Sequence, residues 1–198
     1  MTQYARPDGT TDDGNWTNNH TNIDNTDDPT GTGADSDVVI GDGTGGSEVQ
    51  ADYTLGNTIT DPSVGSGHKL YFRFARGDDA DPDVSSGPQS SDCTLTVKLM
   101  EGSNIRVTRV ITAGSTPSIS GSFTYNSASS GSTSFNLTAG EANSISNYNN
   151  LFVRVLWEDA EALDYLYLSQ IVLEAPDSGA AATALPKAMN TYRQMREN

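Results

Sequence analysis

Cys93-Thr94-Leu95-Thr96-Val97-Lys98-Leu99-Met100-Glu101 alternates apolar and polar side chains. A strand turns successive side chains to opposite faces. This period of two therefore sets Cys93, Leu95, Val97 and Leu99 against a core and leaves Thr94, Thr96 and Lys98 outside. Gly102-Ser103-Asn104 supplies a turn, and residues 105–112 return as the next strand, making a hairpin. The same alternation recurs at 69–76, where Leu70, Phe72 and Phe74 share one face and Tyr71, Arg73 and Ala75 the other. It recurs again at 151–157 and 165–174.

Working outward, 38–40 and 49–55 are short strand candidates, and 118–125 and 132–137 are weaker, serine-rich ones. Thr138-Ala139-Gly140-Glu141 is a capping box: the threonine hydroxyl can accept from a first-turn amide while the glutamate reaches back to the cap amide. It predicts one short helix, to about residue 146, with Ala142 and Ile145 on its inner face. Roughly nine strands joined by polar connections describe an all-β protein, an antiparallel β-sandwich of jelly-roll type. Its expected core is Trp16, Leu70, Phe72, Phe74, Leu95, Val97, Leu99, Leu151, Val153, Val155 and Trp157.

Three regions follow from composition. Residues 1–50 carry ten acids against one base, Arg6, with few apolar groups. That balance could suit disorder, or a segment with short strands ordered by the protein's own sandwich or by a partner, anchored by Trp16 and Ile23. Residues 51–175 hold the sandwich. Residues 176–198 are a small-residue linker and a C-terminal tail, in which Leu185, Met189, Tyr192 and Met195 recur at helical spacing beside Arg193 and Arg196. The tail reads as a docking element, for a neighbouring copy, another partner or the chain's own body, with a disorder-prone tail as the remaining alternative.

The 198 residues include 26 acids and 11 Lys and Arg, for a net charge of −15. Such a surface repels phosphate backbones and anionic lipid, so neither nucleic acid nor membrane is an expected partner. The single cysteine, Cys93, excludes an intrachain disulfide and falls on a core face, where a thiol is ordinarily inert. The opening residues lack the basic and apolar regions of a signal peptide, and no apolar run reaches the ~20 residues that span a bilayer.

Reactive chemistry is sparse. His20 and His68 stand in turn-like polar segments outside any zinc-binding spacing, and no nucleophile elbow or phosphate loop occurs. Asp79, Asp81, Asp83 and Ser85 have the spacing of calcium ligands. Val84 and Ser90, however, occupy the positions where an EF-hand needs glycine and glutamate, and Pro82 stiffens the loop. A solvated acidic loop is the better reading, with calcium in another geometry as the alternative; Asp24, Asp27 and Asp28 are weaker still. Tyr71, Tyr165 and Tyr167 fall on outward strand positions, as ordinary packing or as the aromatics of a sugar-binding face. No catalytic residue, metal site or cofactor is expected.

Several spaced motifs occur in order: Arg6-Pro7, Trp16, Asp35-Ser36-Asp37-Val38-Val39, Thr60-Asp61-Pro62, Gly67-His68, residues 95–102 and residues 145–154. Together they resemble the jelly-roll virion proteins of tailed bacteriophages, over residues 6–157. The acidic loop at 77–92 and the tail after 175 depart from that pattern. The resemblance implies a capsid cement or decoration protein, made in the host cytoplasm and bound to the outside of the major capsid shell. Its partners would be the major capsid protein and other copies of itself. The alternative is a carbohydrate- or receptor-binding module of a phage fibre or tail.

The tail reading has a direct consequence. Isolated helices below ~12–15 residues are marginal in water, so a helix over 185–196 needs a surface to pack on. Deleting 185–198 should leave the thermal unfolding of the sandwich near wild type while weakening attachment to particles in a co-sedimentation assay. Undiminished attachment would remove the tail from the docking surface.

Overall fold

The computed structural model describes residues 2–12, 14–17, 39–42, 48–56, 58–77, 93–112, 132–159 and 165–178. Within them run strands β1 (Thr2–Ala5), β2 (Pro7–Asp12), β3 (Trp16–Thr17), β4 (Val39–Asp42), β5 (Val49–Leu55), β6 (Lys69–Gly77), β7 (Cys93–Glu101), β8 (Asn104–Thr112), β9 (Ser132–Asn136), β10 (Leu151–Asp159) and β11 (Tyr165–Pro176). Helix α1 (Ala139–Asn143) and a 3-10 turn (Tyr148–Asn150) lie between β9 and β10. The strands form two antiparallel sheets. One runs β3-β4-β11-β6-β9 with β1 also on β11, and the other runs β2-β5-β10-β7-β8. From β4 onward the inner orders β4-β11-β6-β9 and β5-β10-β7-β8 are the winding of a jelly roll.

The expected hairpin is present, with Leu95 opposite Ile111 and Glu101 opposite Asn104. Gly102 takes φ +55, the positive value that the first position of a tight hairpin turn calls for. All eleven expected core residues are buried in one cluster that includes residues from both sheets. Phe72, 1% exposed, also meets the Phe135 ring at 6.4 Å, tilted by 54°. The capping box forms as the spacing predicts: Glu141 N donates to Thr138 Oγ1 and Thr138 N donates to Glu141 Oε2. Ala142 and Ile145 are buried behind it.

Three features differ from expectation. First, the segment expected ahead of the sandwich contributes four of its strands. β1 pairs with β11, β2 with β5, β3 with β4 and β4 with β11, so the chain crosses between sheets at Arg6. Apolar content hides β1, β2 and β3 because edge pairing is made by backbone groups, and among their described side chains Ala5, Pro7 and Trp16 alone are buried. Trp16 lies over Gly41, where an added Cβ would stand 2.8 Å from the indole ring. Second, a strict period of two after Leu168 would turn Gln170 inward and Ile171 outward. A bulge between Leu168 and Gln170 resets the alternation, returning Ile171, Leu173 and Ala175 to the core. Third, Tyr71 and Tyr167 are buried and Tyr165 is half-buried, so they do not make an open aromatic face.

The acidic run 78–92, the serine-rich candidate 118–125, Ile23, His20 and the acids at 24–28 lie outside the described residues.

Removing the Phe72 ring leaves a cavity between the sheets that close packing resists filling. Phe72→Ala should cost about 3–5 kcal/mol in chemical denaturation. A loss near zero would place Phe72 on the solvent face, one residue out of register.

Candidate functional site

The jelly-roll winding brings three connections to one rim: residues 58–68, the turn at 102–103, and residues 137–150. Main-chain bonds tie them together, from Leu137 N to the His68 carbonyl and from Gly102 N to the Asn150 carbonyl. Between them opens a cleft of about 410 Å³, walled by residues 58–61 and 146–149.

Each wall is held by side chains behind it. Gln3 donates to the Thr60 carbonyl and accepts from the Thr60 amide, at 2.9 and 2.7 Å. Asp61 Oδ1 accepts from the Ser63 amide at 2.7 Å, fixing a turn in which Ser63 adopts φ +55, an uncommon value for a residue with a side chain. Across the cleft, Glu101 accepts from both the Ser146 amide (3.0 Å) and the Ser146 hydroxyl (2.5 Å), and also from Arg106 Nε at 2.9 Å. Asn147 Oδ1 caps the Asn149 amide at 3.0 Å. The helix before this wall is anchored by a two-pronged ion pair between Arg109 and Glu141, at 2.8 and 2.9 Å.

Behind the cleft, His68 Nε2 and the Tyr148 hydroxyl share a buried hydrogen bond of 2.7 Å, their rings stacked 5.9 Å apart. His68, read from sequence as part of a polar turn, is 1% exposed. Burial lowers its pKa from the ordinary value, opposed by the Ser66 main chain and the charge of Asp61. Burial, then the charges of Asp61 and Glu101, push Tyr148 up to about 12. Burial alone would raise the Glu101 carboxyl, but the bonds from Ser146 and Arg106 outweigh it and hold the group below its ordinary value. Glu141 falls to about 2, through Arg109 first and then, against burial, the Thr138 bonds. At neutral pH the rim therefore holds ionised glutamates paired with arginines around a neutral histidine–tyrosine pair.

Of the side chains weighed from sequence for chemistry, His68 comes to this rim, beside Glu101 from the end of the expected strand. Cys93 is buried as expected and accepts from Arg76 at 3.1 Å. Asp79, Asp81, Asp83 and Ser85, and the docking residues Leu185, Met189, Tyr192, Arg193, Met195 and Arg196, lie outside the described residues. Among the described residues, no group of three or more His, Cys, Asp and Glu side chains is placed to hold a metal. Asp61, Asn147 and Asn149 entered the sequence reading only within the resemblance motifs, not as site residues. Their signal was the turn chemistry of Asp-Pro-Ser and Asn-Tyr-Asn-Asn, which marks capped loops without saying that two of them face each other.

The fold defines an antiparallel β-sandwich protein of jelly-roll winding. By sequence the chain matches no family model and no curated protein. Among solved structures it is similar to a xylan-binding module, CBM15, at 10% identity and a TM-score of 0.40, over 84% of this chain and 95% of that one.

A histidine whose pKa is lowered on folding binds fewer protons folded than unfolded once the pH drops below its unfolded value. His68 therefore contributes full stability above about pH 6.5, and that contribution falls as the pH drops toward the folded value. The thermal midpoint should decline between pH 7 and 5.5, a range in which ordinary carboxylates stay ionised, and His68→Gln should flatten that decline. An equally steep decline in the variant would remove His68 as its source.

Proposed function

We propose that this chain is a non-enzymatic virion structural protein, a capsid cement or decoration protein seated on the outside of a phage major capsid shell. The observation that carries the reading is spatial. Four of the motifs on which the virion resemblance rests, at 60–62, 67–68, 95–102 and 145–154, fall in three separate stretches of the chain and meet at one rim of the sandwich through Asp61, His68, Glu101, Ser146 and Tyr148. They are the two walls of the cleft, the His68–Tyr148 pair behind it and the Glu101 brace. That these motifs share one bonded structural unit is what supports the reading.

Physical properties agree with this role. The net charge of −15 makes the protein a poor ligand for packaged nucleic acid or a membrane and suits an outward surface. Its partners are the major capsid protein and neighbouring copies, with the 185–196 tail as the docking element. A cement protein adds contacts to a lattice that has already formed. Particles made without it should assemble with normal shell dimensions, yet release their contents at lower temperature or after milder osmotic shock than wild-type particles. Absence of any closed shell would instead assign a scaffolding or major shell role.

A further inference from the structure

The cleft has a chemistry of its own. Its walls are prepaid: Gln3, Glu101 and His68, together with the Asp61 and Asn147 turn caps, already fix their geometry. Groups remain that those bonds do not use. Asp61 spends one carboxylate oxygen on Ser63, and Asn147 spends its carbonyl oxygen on Asn149. The second Asp61 oxygen, the Asn147 amide nitrogen, the Asn149 side-chain amide and the Thr60 hydroxyl make no hydrogen bond among the described residues. All four residues are exposed. Below them Ile59 and Tyr148, each buried, bring apolar surface to the lining.

This donor set selects its ligand by elimination. An anion would meet Asp61, with Glu101 behind it, and among the described residues no lysine or arginine lines the cleft. A divalent cation wants six to eight oxygens, usually including several carboxylates, and among the described residues only one carboxylate, Asp61, lines the cleft. A purely apolar ligand would strand an aspartate and two amides. A neutral polyhydroxylated ligand satisfies every group: its hydroxyls donate to Asp61 and accept from the two amides, while its C–H surface rests on Ile59 and Tyr148. The volume falls within the ~300–1,000 Å³ usual for small-molecule sites.

We propose that the cleft between residues 58–61 and 146–149 binds a neutral saccharide, one or two sugar rings held by Asp61, Asn147 and Asn149. The site does not depend on a capsid role. It also differs from the sugar-binding face expected of Tyr71, Tyr165 and Tyr167, because it lies in the loops rather than on a sheet.

The test is an amide chemical-shift titration of the full chain with glucose, galactose, mannose, xylose and their neutral disaccharides, to about 20 mM. Sodium phosphate and calcium chloride are run as separate arms. At least one saccharide should move the signals of Thr60, Asp61, Asn147 and Asn149 in a saturable way. Asp61→Asn keeps the cap on Ser63 but removes the charge, and Asn149→Ala removes an amide. Each should weaken binding about tenfold, the worth of one strong hydrogen bond, with the thermal midpoint at the wild-type value. A disaccharide that binds more tightly than its monosaccharide assigns the cleft to a glycan chain, and equal binding assigns it to a free sugar; either upholds the site. Silence across the whole panel, saturation only by phosphate or calcium, or saccharide shifts unchanged in both variants would overturn it.

Discussion

Leu70, Phe72 and Phe74 from one sheet, and Leu95, Val97, Leu99, Val153, Val155 and Trp157 from the other, close a single apolar layer. With a side-chain period of two, that layer fixes the register of every central strand, since a slip of one residue would turn a whole row of apolar groups into water. Fixed registers in turn determine which strand ends meet. β5, β7 and β10 end or begin together because Thr54, Met100 and Phe152 are cross-strand neighbours. The loops leaving those ends have no choice but to share one rim.

At that rim the problem changes from burying apolar surface to satisfying polar groups away from water. A lone buried carboxylate would be costly, so Glu101 is tolerable only because three donors reach it. Two of those donors belong to Ser146 and one to Arg106, so satisfying the charge also joins the hairpin to the wall of the cleft. Arg109, on the same strand as Arg106, does the same for α1 through Glu141. The hairpin that builds the core thus also positions the loops, through two ion pairs whose partners lie five and 32 residues away in sequence.

Much of this was legible beforehand. Alternation located β5, β6, β7, β10 and β11 to within a few residues, because strands buried against a second sheet must display their period. The helix was legible from Thr138 and Glu141 alone, since a capping box is a local bond set. β1, β2 and β3 were not legible, because an edge strand held by its neighbour's backbone needs few apolar side chains. Nor was the bulge at Ser169, which only the competition between Gln170 and Ile171 for the core makes necessary.

What the sequence determined by itself was therefore periodic or local: the all-β class, the core residues, the hairpin turn at Gly102 and the helix cap. Tertiary structure alone decided that His68 is buried against Tyr148, and that Asp61 and Asn149 face one space. It also decided that Tyr71 and Tyr167 are covered rather than open. The physical reason is range. Alternation and capping act between residues a few positions apart, whereas His68 and Tyr148 stand 80 residues apart. They meet only because the registers of two packed sheets bring their loops to the same rim.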